Sequence, residues 1–177
     1  MAVGQPVRVG IGEYVVRTIA QAPDGLAIYG LGSCVAVFLH RPGGATATDG
    51  GVGGPGKIGG LAHILLPAPH GRIPPSGGGA FASLAIPALV QELCALGCHR
   101  RELRAKVTGG SHMFSFGATE RETLGERNIR AALQALSKES IDVAGMDVGG
   151  SWGRTVVADL ATGAVRISSL RRDAKEI

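Results

Sequence analysis

Cys34-Val-Ala-Val-Phe-Leu-His40 is an unbroken apolar run rich in β-branched and aromatic residues, and it reads as a strand. Directly before it, Gly30-Leu-Gly-Ser33 spells a tight bend. Beyond a Gly/Ala/Thr/Pro loop at Arg41–Gly56, Ile58-Gly-Gly-Leu-Ala-His-Ile-Leu-Leu66 is a second buried-strand candidate, stopped by Pro67. An antiparallel hairpin around the loop that closes with His40 opposite Lys57 sets Cys34 opposite His63. Their Cβ atoms are then about 5 Å apart. A slip of one residue would put them on opposite faces. A Cys–His pair at that distance can form a thiolate–imidazolium, a nucleophile at neutral pH. Taken alone, His63 among Leu61, Ile64 and Leu65 reads as a core histidine with one satisfied hydrogen bond. The spacing to Cys34 is what adds the catalytic reading.

Outward from this hairpin, Val7–Val16 reads as one strand and Leu26–Tyr29 as a short apolar run after the Ala22–Gly25 turn. A second loop at Ala68–Gly79 is rich in Pro and Gly. In Ala80–Leu96, residues Ile86, Leu89, Val90, Leu93 and Leu96 fall on one helical face. Pro87 requires either a helix start near Ser83 or a kink. Thr123-Leu-Gly-Glu126 fits a capping box, followed by the stripe Ile129, Ala132, Leu133, Leu136. Leu103–Val107, Val143–Val148, Thr155–Leu160 and Ala164–Ser169 read as strands, the last two joined by the hairpin signal Thr162-Gly163. Strands and helices mix without βαβ alternation. The expected class is therefore α+β: a mixed or antiparallel β-sheet sandwich flanked by two main helices. One domain is expected over residues 1–177, with a flexible loop at 41–56 and a frayed, charged tail at 171–177.

Composition narrows the function. The chain has 177 residues, 45% hydrophobic and 18% charged, which suits a packed domain rather than a disordered one. Nineteen of its 29 glycines precede residue 81, so the N-terminal half is rich in loops. No apolar run approaches a membrane span, and the N-terminus lacks the apolar segment of a secretory signal. Cys34, Cys94 and Cys98 are an odd set without a pairing framework, as in a reduced, cytoplasmic protein. The net charge of +4 favours acidic partners but is too small to argue for nucleic acid. With 4% aromatics there is no base-stacking platform.

Several motifs fail on inspection. Gly51–Lys57 matches seven positions of a phosphate-binding loop, but Ile58 stands where Ser or Thr must hold magnesium. Gly30-Leu-Gly32 has Val35 where a dinucleotide fingerprint needs its third glycine. Cys94, Cys98 and His99 lack a second ligand pair at zinc spacing, so no metal is expected and a buried structural thiol is the reading of Cys94.

The chain resembles the CheD family of chemoreceptor glutamine deamidases. The resemblance rests on Val9-Gly-Ile-Gly-Glu-Tyr14, Gly30-Leu-Gly-Ser-Cys-Val-Ala36 and Gly59-Gly-Leu-Ala-His-Ile-Leu-Leu-Pro67. It continues through Ala105-Lys-Val-Thr-Gly-Gly-Ser-His-Met-Phe114, Leu124-Gly-Glu-Arg-Asn-Ile129, Asp147-Val-Gly-Gly150, Gly153-Arg154 and Thr162-Gly163. These pieces run in order over nearly the whole chain. The resemblance implies a sandwich similar to the catalytic domain of the cytotoxic necrotizing factor toxins. It implies a cofactor-free protein-glutamine glutaminase with Cys34 as nucleophile and His63 as base. Methyl-accepting chemotaxis receptors would be the substrate and the CheC phosphatase a further partner. The family carries Thr six positions before the nucleophile, where this chain has Ile28. The expectation is that Ile28 or a neighbour orients His63 through its main chain. Gly32 and Ser33 would contribute to oxyanion binding, and Gly110, Ser111 and His112 would shape the substrate cleft. Arg100, Arg101, Arg104 and Lys106 are candidates for contact with an acidic receptor, against the plainer reading of a solvated face.

Overall fold

The computed structural model describes residues 5–42, 57–71, 78–112, 122–170 and 172–177. Their strands form two five-stranded sheets. The first runs β1(Val7–Arg8), β3(Leu26–Leu31), β8(Arg154–Ala158), β9(Val165–Ser169) and β10(Arg172–Glu176) across its width. The second has the order β2(Tyr14–Thr18), β5(Ile58–Ile64), β4(Val35–His40), β6(Arg104–Gly109), β7(Asp142–Val148). In each sheet one pair is parallel, β1 with β3 and β6 with β7. The α+β sandwich with two helices read from the sequence is the architecture observed.

Every residue of β4 and β5 is buried, and strand alternation explains why. Val35, Val37, Leu39, Ala62 and Ile64 turn to one face and meet α1(Ala82–Ala95) and α2(Leu124–Lys138). Ala36, Phe38 and Leu61 turn to the other and meet Leu26, Ile28 and Val156 of the first sheet. The second sheet is thus the middle of three layers. Its central strands are apolar on both sides, which is why they read as continuous rather than alternating runs.

The helices follow their sequence signals. The Thr123 hydroxyl accepts from the Glu126 amide at 3.2 Å, and the Glu126 carboxylate accepts from the Thr123 amide at 2.8 Å. α1 starts one residue before Ser83 and keeps Pro87 inside. Ile86, Leu89, Val90 and Leu93 are its buried stripe, but Leu96 caps the helix and is exposed.

Three expectations need correction. Val7–Val16 is two strands in different sheets, because the chain turns at Ile11–Gly12 with Gly12 at φ 76°. Residues 172–176 of the expected frayed tail form β10, antiparallel to β9, and the Ile177 amide and carbonyl both bond to Val165. The central hairpin pairs His40 with Gly59 and Val35 with Ile64, two residues from the expected register. Residues 43–56, most of the expected loop and of the phosphate-loop look-alike, lie outside the described residues.

His40, the last residue of β4, is buried. It stacks on Phe38 with ring centroids 5.1 Å apart and covers Gly163, where any side chain would strike the imidazole. Burial, with Lys106 and Arg104 nearby, lowers its pKa to about 4. The unfolded chain takes a proton near pH 6.5 that the folded chain refuses until about pH 4. Stability is therefore expected to fall as pH drops through that window, by up to about 1.4 kcal/mol per unit. Urea denaturation across this range should show a shallower slope for His40→Asn than for the wild type.

Candidate active site

Cys34 and His63 share a face of the middle sheet. The two-residue shift preserves the alternation, so both side chains still point between the sheets. His63 stands directly opposite Ala36, two residues further in than Cys34, and Cys34 and His63 are diagonal neighbours rather than a facing pair. Cys34 sits at the rim at 9% exposure and His63 at 2%. Ile28, fully buried, packs in the same apolar cluster as Cys34 and Ala36.

The turn before Cys34 is held by its carbonyls. The Gly32 carbonyl accepts from the Ser111 amide at 2.9 Å, and the Cys34 carbonyl from the Gly110 amide at 2.8 Å. Between them the Ser33 carbonyl accepts from the side chain of Asn128 at 2.9 Å. Gly109 and Gly110 have φ of 109° and 68°, and this swing lets the chain close against the turn. A side chain at Gly109 would strike the Cys34 carbonyl.

Burial pushes the Cys34 thiol up, and its own backbone N–H, which favours the thiolate, does not compensate. Burial likewise pushes His63 down, against the weaker pull of the Val9 backbone and the Glu13 carboxylate. Both groups are therefore neutral near pH 7. Neither ring nitrogen of His63 has a hydrogen-bond partner of full geometry, the Val9 carbonyl included, and Ile28 supplies none. Glu13 lies on the adjacent strand edge, and its carbonyl accepts from the His63 amide at 2.9 Å. Its carboxylate accepts from the Gly10 amide at 2.8 Å.

A family model described as CheD chemotactic sensory transduction matches residues 65–169. A probable chemoreceptor glutamine deamidase of Geobacter sulfurreducens is 38% identical over 173 residues, spanning 97% of this chain and 98% of the relative. Relatives with the same printed function from Desulfitobacterium hafniense and Clostridium kluyveri are 34% and 36% identical. They too span at least 96% of this chain and 97% of their own length. The chain belongs to the CheD family. The family-model match begins after Cys34 and His63, whereas the matches to whole relatives extend over both ends of the site.

In this CheD chain the remaining candidates divide by depth. Gly32, Ser33 and Gly110 surround Cys34 through the bonds just described. Ser111 is fully buried, and its hydroxyl donates to the Trp152 carbonyl at 2.7 Å while accepting from Arg154. It braces the turn from behind. His112 is exposed, with its amide on the Gly150 carbonyl at 2.9 Å. His70 is exposed as well. Arg100 and Arg104 pair with Glu139 and Asp142, and the Lys106 ammonium donates to the Ile177 carbonyl at 2.6 Å. Arg104 is level with His40, the far end of β4 from Cys34, so the solvated-face reading suits this cluster better. Among the described residues no group of His, Cys, Asp or Glu could hold a metal ion, and no helix is long and apolar enough to cross a membrane.

Glu13 and Asn128 went unread in the sequence, whereas Thr108 was expected with Gly110 and Ser111 to shape the cleft. Glu13 was visible only as part of a motif, because its place beside His63 depends on strand pairing. Thr108 pairs with Ala36 on the same face, buried, with an unpartnered hydroxyl. Asn128 is a fully buried polar residue on the inner side of α2, and a polar residue three before Ala131 and four before Ala132 was the available signal.

Proposed function

We propose that this chain hydrolyses glutamine side-chain amides of chemoreceptors, with Cys34 as nucleophile and His63 as general base. The observation that supports this most directly is the shared face of a buried thiol and a buried imidazole in a chain whose relatives are named chemoreceptor glutamine deamidases. His63 takes the thiol proton as Cys34 Sγ bonds to the glutamine Cδ. The oxyanion is met by backbone N–H groups of the Cys34 turn. The C–N bond breaks, His63 returns the proton, and ammonia leaves a thioester. Water, deprotonated by His63, then cleaves the thioester to glutamate and the free thiol. The net reaction consumes one water per amide and calls on no cofactor. The three free cysteines suit a reducing compartment such as the cytoplasm.

Incubation with a purified receptor cytoplasmic fragment tests this reading. Ammonia release with conversion of mapped glutamines to glutamate is expected, and an unchanged fragment would overturn it. A crosslinked product would indicate transglutamination instead. The raised Cys34 thiol favours one second reading, a regulator that binds receptor or CheC without turnover. Receptor binding without ammonia would select it.

The protonation states fix a pH profile. Because neutral His63 is the base, kcat/KM is expected to rise about tenfold per unit on the acid limb, with a midpoint below the ordinary imidazole value of 6.5. In the free protein, alkylation of Cys34 should have its midpoint above the ordinary thiol value of ~8.5. A depressed midpoint, lost in His63→Ala, would mean that the ion pair forms before substrate arrives.

A further inference from the structure

The Asn128 side chain hydrogen-bonds both halves of the candidate site. Its amide nitrogen donates to the Ser33 carbonyl and to the Leu65 carbonyl, each at 2.9 Å. Ser33 precedes the nucleophile by one residue and Leu65 follows His63 by two. The residue is fully buried, so both bonds are made without competition from water. The geometry is possible because α2 comes unusually close: Gly125, one turn earlier, meets the Gly110 carbonyl where any side chain would collide. The short amide at position 128 reaches the residue before the nucleophile and the end of the His63 strand at once.

The bond to Ser33 fixes a direction as well as a position. In a trans peptide the carbonyl and the next N–H point opposite ways. Ser33 turns its carbonyl toward α2, so the Cys34 N–H points away from α2, to the side where Cys34 packs between the sheets. We propose that Asn128 is a positioning residue that aims the Cys34 N–H as the oxyanion donor while keeping the nucleophile turn in register with the His63 strand. This rests on the deamidase reading and deepens it. The favourable action of the Cys34 N–H on its own sulfur agrees with that aim.

The test compares wild type with Asn128→Leu, similar in size but unable to donate, and with Asn128→Ala should the leucine variant not fold. Folding is checked by thermal melting monitored by circular dichroism. The expected result is a loss of 10- to 100-fold in kcat for receptor-fragment deamidation with KM within about twofold. The Cys34 alkylation midpoint is expected to move up by about one pH unit, since the thiolate loses its aligned N–H. A purely structural role would lower melting temperature without moving the midpoint, and that result would overturn the proposal. So would a folded variant with unchanged kcat. The alkylation measurement needs no substrate. If wild type releases no ammonia, the deamidase reading fails while the midpoint shift still decides whether Asn128 aims the Cys34 N–H.

Discussion

Cys34→Ala is expected to abolish deamidation, with kcat falling by roughly 10⁴-fold or more. The thiol supplies the covalent route: its neighbours Ala36, Ile28 and Leu31 are hydrocarbon, and the Thr108 hydroxyl on the same face is a far weaker nucleophile than a thiolate. His63→Ala is expected to cost nearly as much, because a thiol whose pKa is raised by burial is a poor nucleophile without a base. The double variant should be little worse than either single one. Residues that act as a unit give non-additive losses. Ammonia release from a receptor fragment measures all three. A Cys34→Ala protein that retained more than a tenth of wild-type activity would remove Cys34 from the mechanism. Losses that multiplied would mean that Cys34 and His63 act independently.

Arg154→Met is expected to destabilise the fold by about 3 kcal/mol, a melting-temperature drop of roughly 10 °C. The Arg154 side chain is fully buried, yet its guanidinium bonds Asp147 Oδ2 at 3.0 Å, the Gly149 carbonyl at 2.9 Å and the Ser111 hydroxyl. Methionine fills similar volume but donates to none of them, leaving Asp147 Oδ2 without its donor and the Gly149 carbonyl with only the longer Ser111 bond at 3.3 Å. Asp147 loses one of two cations. Burial pushes its carboxyl up, but hydrogen bonds from Lys175 and Arg154 outweigh that and hold it below the ordinary range. Lys175, at 2.7 Å, remains and limits the damage there. Ser111 is the link to the chemistry, since its amide holds the Gly32 carbonyl. Arg154→Lys should recover only part of the loss, because a point charge cannot reproduce a planar fork. Thermal melting measures both variants. A change below 1 kcal/mol in Arg154→Met would mean that water replaces the guanidinium.

The central strands, the two helices and the shared face of Cys34 and His63 were legible because each depends on local periodicity, whereas the break between β1 and β2 and the pairing of β10 were not. The continuous apolar runs of β4 and β5 and the Thr123–Glu126 cap are short-range signals that tertiary structure had no reason to override. The exact register was not legible, since it depends on the connection between β4 and β5 rather than on the strands' own pattern. The result survived because an even shift leaves each side chain on its face. Tertiary electrostatics was hidden as well. Nothing near Cys34 in sequence says that burial outweighs its N–H, and nothing near His40 says that Gly163 leaves room for it inside. Asn128 and Arg154 stood in the sequence only as members of family motifs, and their roles were hidden for the same reason. The bond that ties each to the site spans more than 40 positions for Arg154 to Ser111 and more than 60 for Asn128 to Leu65.

The hairpin's geometry bears on how such enzymes are found. Cys34 immediately precedes β4 and His63 is the penultimate residue of β5, while the connection leaves at His40 and returns at Ile58, the opposite end of the pair. Residues added to or removed from that connection change the sequence distance between thiol and imidazole without moving either. A pattern search keyed to a fixed Cys-to-His spacing would therefore discard genuine members of this architecture. One anchored to strand ends, a Cys at the entry of one strand and a His near the exit of its antiparallel partner, would retain them.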